Sequence, residues 1–213
     1  MRLSETRLYL VAPGRLPRGD LAAMVGELAG AGVDLIQLRE KEMEALDVLR
    51  VGEPVAEACR DAGIPFIVND RPDVAMALAA DGVHLGQNDL PVEVARRILG
   101  DAIVGRSTHA PVEIGRESSA AREPGGPDYI AVGPVHATPT KPGRPAAGLG
   151  LVTHAAAAAD LPWFAIGGID ASNLMEVMEA GARRIVVLRA IAGAEDPPAA
   201  AAELRTLLDS VPL

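Results

Sequence analysis

One cysteine in 213 residues, Cys59, leaves no disulfide framework and no cysteine-based metal site. No signal-peptide pattern opens the sequence, and no uninterrupted apolar run reaches the length needed to cross a bilayer. A soluble, cytoplasmic protein with no membrane partner is expected. Positive charge is scarce as well: 20 Lys and Arg stand against 29 Asp and Glu, for a net charge of −9. That balance excludes a broad basic face tracking phosphates, and with it a general nucleic-acid binder, but it permits a local cationic pocket. Neither a Ser-His-Asp nor a Cys-His constellation can be picked out, so nothing points to a protein nucleophile.

Two further shortages are informative by position. Of the 20 basic residues 18 are Arg, and the only lysines are Lys41 and Lys141. A chain this biased uses arginine wherever generic surface charge suffices, so the two lysines mark places that need a compact, pointable ammonium. Arg205 serves as the generic surface arginine for comparison. Side-chain amides are limited to Gln37, Asn69, Gln87, Asn88 and Asn173, and four of these five fall at the ends of apolar runs.

What is present is a 49% hydrophobic chain of a length that suits one domain, 1–213. Short, nearly all-apolar runs alternate with helical patterns. The strands expected are Leu8–Ala12, Val33–Leu38, two around residues 64–69 and 83–86, Ala102–Gly105, Tyr129–Val132, Trp163–Ile166 and Arg184–Leu188. Helices are expected between them and at Pro197–Leu208, with one long irregular loop at Gly133–Gly150. Eight strand–helix units in one α/β chain predict a (β/α)8 TIM barrel with strands buried on both faces. An open doubly wound sheet is the alternative, but Ala12-Pro13-Gly14-Arg15 supplies no Gly-rich nucleotide fingerprint after the first strand.

The stretch from Ile64 to Asp89 organises the rest. One apolar run ends in Asn69-Asp70, Pro72 opens an Ala-rich helical segment, and a second run ends in Gly86-Gln87-Asn88-Asp89. A βαβ unit makes its two strands parallel, so Asp70 and Asp89 emerge from the same edge, where parallel α/β folds place their chemistry. Singly each is a turn-favouring Asx residue; as a pair they suit a hard divalent cation such as Mg2+. The same mouth collects Gln37, Arg39 and Lys41 after the second strand, Ser107 and His109 after the fifth, and His136, Thr138, Thr140 and Lys141 after the sixth. Gly167-Gly168 follow the seventh strand and Leu188-Arg189 the eighth, the usual phosphate position in such barrels. His84 alternates with Val83 and Leu85 and is expected in the barrel wall.

Six blocks, in order, resemble the signature of the thiamine phosphate synthase family: Q-L-R-E-K at 37–41, N-D at 69–70, H-L-G-Q-N-D at 84–89, G-R-S-T-H at 105–109, T-P-T-K at 138–141 and I-G-G-I at 166–169. The resemblance implies a transferase that joins hydroxymethylpyrimidine diphosphate to hydroxyethylthiazole phosphate, giving thiamine phosphate and pyrophosphate. It also implies that Gln37, Leu38, Arg39, Glu40, Lys41, Asn69, Ser107 and Lys141 hold the pyrimidine diphosphate, and that Asp70 and Asp89 bind Mg2+. Thr138, Pro139, Thr140, Gly168, Leu188 and Arg189 would then line the thiazole phosphate site. Within that set Arg39, Lys41, Ser107 and Lys141 are the catalytic candidates, acting by positioning and electrostatics. The partners implied are small molecules, and a homo-oligomer is compatible with the sequence.

Arg189 departs from the family pattern, which commonly has serine there, and Asn88 stands where an acidic residue is frequent. The segment Arg122–Pro127 also runs longer than the pattern. A thiazole tautomerase on the same barrel, using His109, is the nearest alternative, and a non-catalytic phosphate sensor a more distant one.

Overall fold

The computed structural model describes residues 3–17, 19–138 and 145–213. Eight parallel strands close into a barrel: β1 (Leu8–Ala12), β2 (Leu35–Leu38), β3 (Phe66–Asn69), β4 (Gly82–Leu85), β5 (Ile103–Thr108), β6 (Tyr129–Val132), β7 (Trp163–Ile166) and β8 (Ile185–Val187). Each strand pairs with the next, and β8 pairs back onto β1 with Leu8 opposite Ile185. No strand edge of the barrel is left open to an unwanted partner. The expected (β/α)8 TIM barrel is the architecture observed.

Around it lie α1 (Leu21–Gly30), α2 (Ala45–Ala62), α3 (Pro72–Ala77), α4 (Val92–Leu99), α5 (Pro111–Ala120), α6 (Leu149–Ala158), α7 (Leu174–Glu179), α8 (Arg189–Ala192) and α9 (Pro197–Asp209). Proline at the start of α3, α5 and α9 presets the first-turn φ where no N–H is needed. Strand side chains alternate between two cores. Tyr9, Leu35, Ile67, Tyr129, Phe164 and Val186 fill the barrel interior, whereas Leu10, Ile36, Val68, Val104 and Ala165 pack outward into the main hydrophobic core. Each fully buried large apolar side chain contributes about 1.5–3 kcal/mol.

Three elements differ from the sequence expectation. β5 runs on through Arg106, Ser107 and Thr108, which pair with Ile130, Ala131 and Val132; their polarity disguises them as loop. The four-residue α8 has no apolar period long enough to announce it, and a small antiparallel pairing of Arg15–Leu16 with Gly19–Asp20 sits after β1. Arg205, moreover, is not a generic surface group. Its guanidinium lies 2.9 Å from Asp34 and 2.9 Å from Asp209, and Asp34 in turn accepts the Arg7 and Leu8 amides at 2.7 and 2.9 Å. This network staples α9 to β1 and to the entry of β2 at the end opposite the strand C-termini, so exposed Arg15 is the better comparison residue.

Candidate active site

A cavity of about 340 Å³ opens at the C-terminal ends of the strands. Of the residues expected there, Gln37, Arg39, Lys41, Asn69, Asp70, Asp89, Ser107, Thr138, Gly168, Leu188 and Arg189 all line it, as does His109. Pro139, Thr140 and Lys141 lie outside the described residues. Leu38 and Glu40 are not in the lining. Alternation along β2 turns Leu38 outward, beside Gly52 of α2, when Gln37 turns inward. Glu40 accepts the Gly14 N–H at 2.7 Å and so ties the loop after β2 to the loop after β1.

On one side of the mouth charge is concentrated. The Asp70 N–H bonds the His84 carbonyl at 2.8 Å, extending the β3–β4 ladder one step before the chain turns. The turn holds Asp70 at φ 63°, a left-handed conformation that Asp tolerates better than most residues. Its carboxylate meets the Lys41 ammonium at 2.9 Å and the Asp89 carboxyl within hydrogen-bonding reach. The Asp89 carboxylate also closes its own turn by accepting the Gly86 N–H at 2.6 Å. Burial raises the Asp89 carboxyl above its ordinary value, and the neighbouring Asp70 raises it further. Burial pushes Asp70 upward too, but the hydrogen bond from Asp89 and the contact with Lys41 hold it below the usual range. The proton affinity of the pair is thus concentrated on Asp89, and the two carboxyls face each other where a cation can bind between them.

Two further polar groups lie beside that pair. Burial lowers the Arg39 guanidinium from its ordinary value, against the opposing pull of Asp70 and Glu40. The Asn69 amide nitrogen is buried and has no hydrogen-bond partner among the described residues, a cost of about 1–3 kcal/mol unless a ligand accepts from it. Across the mouth, Gly167 and Gly168 take φ 106° and 67°. A Cβ on Gly168 would come within 2.7 Å of His136 Cβ, and one on Gly167 within 2.5 Å of Pro134. The glycines let this turn press against the loop after β6, where the His136 N–H reaches the Gly167 carbonyl at 2.9 Å. Arg189 is exposed at the rim.

The cavity floor contains residues that sequence reasoning did not select for the site. Tyr9, Tyr129 and His84 are buried, and Tyr9 and His84 line the cavity. His84 stands in the barrel wall as its alternation implied, with Nδ1 3.0 Å from the Tyr129 hydroxyl and Nε2 3.0 Å from Ser107 Oγ. The signal in the sequence was a tyrosine at an inward position of each of two strands, in a chain with only two tyrosines.

Residues 8–191 match the family described as thiamine monophosphate synthase. The chain is 54% identical to a thiamine-phosphate synthase of Acidothermus cellulolyticus over 97% of this chain and 96% of that one. It is 51% identical to one of Mycobacterium tuberculosis over 97% and 96%. Among solved structures it resembles a thiamine phosphate pyrophosphorylase from Pyrococcus furiosus, with a TM-score of 0.85 and 32% identity over 98% of both chains.

Proposed function

Because the chain belongs to the thiamine monophosphate synthase family, we propose that it condenses 4-amino-5-hydroxymethyl-2-methylpyrimidine diphosphate with hydroxyethylthiazole phosphate, giving thiamine phosphate and pyrophosphate. The observation that carries this reading is the convergence of Arg39, Lys41, the unpartnered Asn69 amide and the Asp70–Asp89 pair on one side of a cavity whose other side is a close-packed glycine turn. The first side suits a diphosphate and the second a monophosphate. The names borne by the relatives agree with it, and nothing in the site favours the tautomerase alternative.

The step is a substitution at the pyrimidine methylene carbon. Its C–O bond to the diphosphate breaks, the electron pair leaving with the diphosphate, and the thiazole nitrogen lone pair forms the new C–N bond. No proton need move. Arg39 and Lys41 face the charge that grows on the departing diphosphate, and Asn69 donates to one of its oxygens. Lys141, from the loop after β6, would join them. Gly168, Thr138, Leu188 and Arg189 would hold the thiazole phosphate so that its nitrogen faces the carbon.

Mg2+ bound here would neutralise part of the diphosphate charge in the leaving group. Asp70 and Asp89 are the residues to hold it. Among the described residues no group of three or more His, Cys, Asp or Glu side chains could hold a metal alone. Mg2+ is commonly bound by one or two carboxylates with substrate phosphates completing its shell. Among the described residues no helix is long and apolar enough to cross a membrane.

Three outcomes are expected. Purified protein with both substrates and Mg2+ should form thiamine phosphate and pyrophosphate in equal amounts, and chelation should stop both; release of neither with both substrates bound would sink the reading. The Mg2+ concentration for half-maximal turnover should rise as the pH falls toward and through the raised Asp89 value, because the proton competes for the site. A flat dependence would place the metal elsewhere. Gly168→Ala should raise the KM for thiazole phosphate roughly ten-fold with a smaller effect on the pyrimidine side, since an L-residue at φ 67° costs about 1–3 kcal/mol; equal effects on both KM values would argue against that assignment.

A further inference from the structure

The barrel interior contains an unbroken line of hydrogen bonds that the condensation itself does not use. The Gln37 side-chain amide donates to the Tyr9 hydroxyl. Tyr9 and Tyr129 share a hydrogen bond at 2.9 Å, Tyr129 meets His84 Nδ1 at 3.0 Å, and His84 Nε2 meets Ser107 Oγ at 3.0 Å. Tyr9, Gln37, His84 and Ser107 line the cavity, and both tyrosines are fully buried. Packing holds the line in place: Tyr9, Tyr129 and Phe164 meet edge to face at 5.5–5.9 Å, and His84 stacks on Tyr129 at 5.5 Å. Burial also raises both tyrosine hydroxyls above their ordinary value, so each keeps one proton to give.

Such a line has a direction. An amide nitrogen can only donate, so Tyr9 accepts from Gln37; either hydroxyl can donate across the next link, and the direction that keeps the Tyr9 proton inside the line gives it to Tyr129. In that direction a neutral His84 accepts from Tyr129 at Nδ1 and carries its proton on Nε2, donated to Ser107. Two ends are left for a ligand: the Gln37 carbonyl oxygen as an acceptor and the Ser107 hydroxyl as a donor. An aminopyrimidine carries the complement, a donor on its exocyclic amino group and acceptors at its ring nitrogens. The corresponding oxo-pyrimidine carries the reverse, a carbonyl acceptor and a ring N–H.

We infer that Tyr9, Tyr129 and His84 are positioning residues that fix the donor–acceptor polarity of Gln37 and Ser107, and that this polarity selects an aminopyrimidine diphosphate over its oxo counterpart. The inference rests on the condensation proposed above. Without the tyrosine links, the Gln37 amide is free to turn over and Ser107 to reverse its proton. Discrimination then falls even where turnover persists. A site built to satisfy particular hydrogen bonds rejects the mismatched analogue because its own buried groups go unpaired.

The test compares kcat/KM for the 4-amino and 4-oxo pyrimidine diphosphates in wild type, Tyr9→Phe and Tyr129→Phe. Wild type should prefer the amino compound strongly, and each variant should lower the ratio of the two values at least ten-fold. A merely structural contribution would lower both values together and leave the ratio unchanged, which would overturn the inference. Wild type inactive on the amino compound would instead overturn the proposed reaction. The tautomer of His84 gives a check without those variants. Nitrogen NMR of the wild-type protein, with His84→Gln to assign the signal among the four histidines, should show the proton on Nε2. A proton on Nδ1 reverses the line and would overturn the inference.

Discussion

Asp89→Asn is expected to cut turnover on the order of 100-fold or more while the barrel stays folded. The replacement is close to isosteric, and its side-chain oxygen can still accept the Gly86 N–H that Asp89 accepts at 2.6 Å. Its amide nitrogen can donate to Asp70, which lies within hydrogen-bonding reach of Asp89. What disappears is one of the two negative charges that would face the metal. Because burial and Asp70 both disfavour the ionised Asp89, a neutral amide there costs the folded state nothing electrostatically. The melting temperature should be unchanged or slightly higher, and added Mg2+ should no longer rescue the rate in a pH-dependent way. Asp70→Asn, tolerated at φ 63° as Asn commonly is, should lose turnover as well, but it also leaves Lys41 without the partner it holds at 2.9 Å. Wild-type turnover and metal dependence in Asp89→Asn would remove the pair from the reaction.

Gly105→Ala is expected to have the larger effect on stability. Gly105 lies in register between His84 on β4 and Tyr129 on β6. An added Cβ would fall 2.1 Å from the Tyr129 ring and 2.4 Å from its hydroxyl. No side chain on the middle strand means that the tyrosine ring can lie across it and stack on His84. The ring cannot withdraw, because Tyr9 and Phe164 flank it. Overpacking of this kind costs about 1–3 kcal/mol, which for a chain of this size lowers the melting temperature by roughly 2–4 °C per kcal/mol. Turnover should fall too, since the floor under Gln37 and Ser107 shifts. Thermal unfolding followed by circular dichroism gives the answer, and a wild-type melting temperature would show that the ring is not confined as described.

The two substitutions mark the boundary between what can be read along the chain and what cannot. Asp89 was legible as a lining residue only together with Asp70, since two aspartates at the ends of parallel neighbouring strands must surface at the same edge. Legible too were Gln37, Arg39, Lys41, Asn69 and Ser107, which line the cavity. Leu38 and Glu40 entered with the same block, and the structure turns Leu38 outward beside Gly52 and has Glu40 tie two loops together. The polar end of β5 was read as loop since Arg106, Ser107 and Thr108 carry no apolar period, although they pair with β6.

By itself, then, the sequence determined the barrel, the order of its strands and the residues that surface at their C-terminal ends. These follow from short-range periods and turn chemistry, which act over a few residues. The tertiary structure alone decided which carboxyls come within hydrogen-bonding reach of each other, which amide has no partner among the described residues and which side chains make the floor. Tyr9 and Tyr129 are 120 positions apart yet 2.9 Å from each other. Such a contact depends on barrel closure and strand register, set jointly by all eight strands and by a glycine that leaves the space.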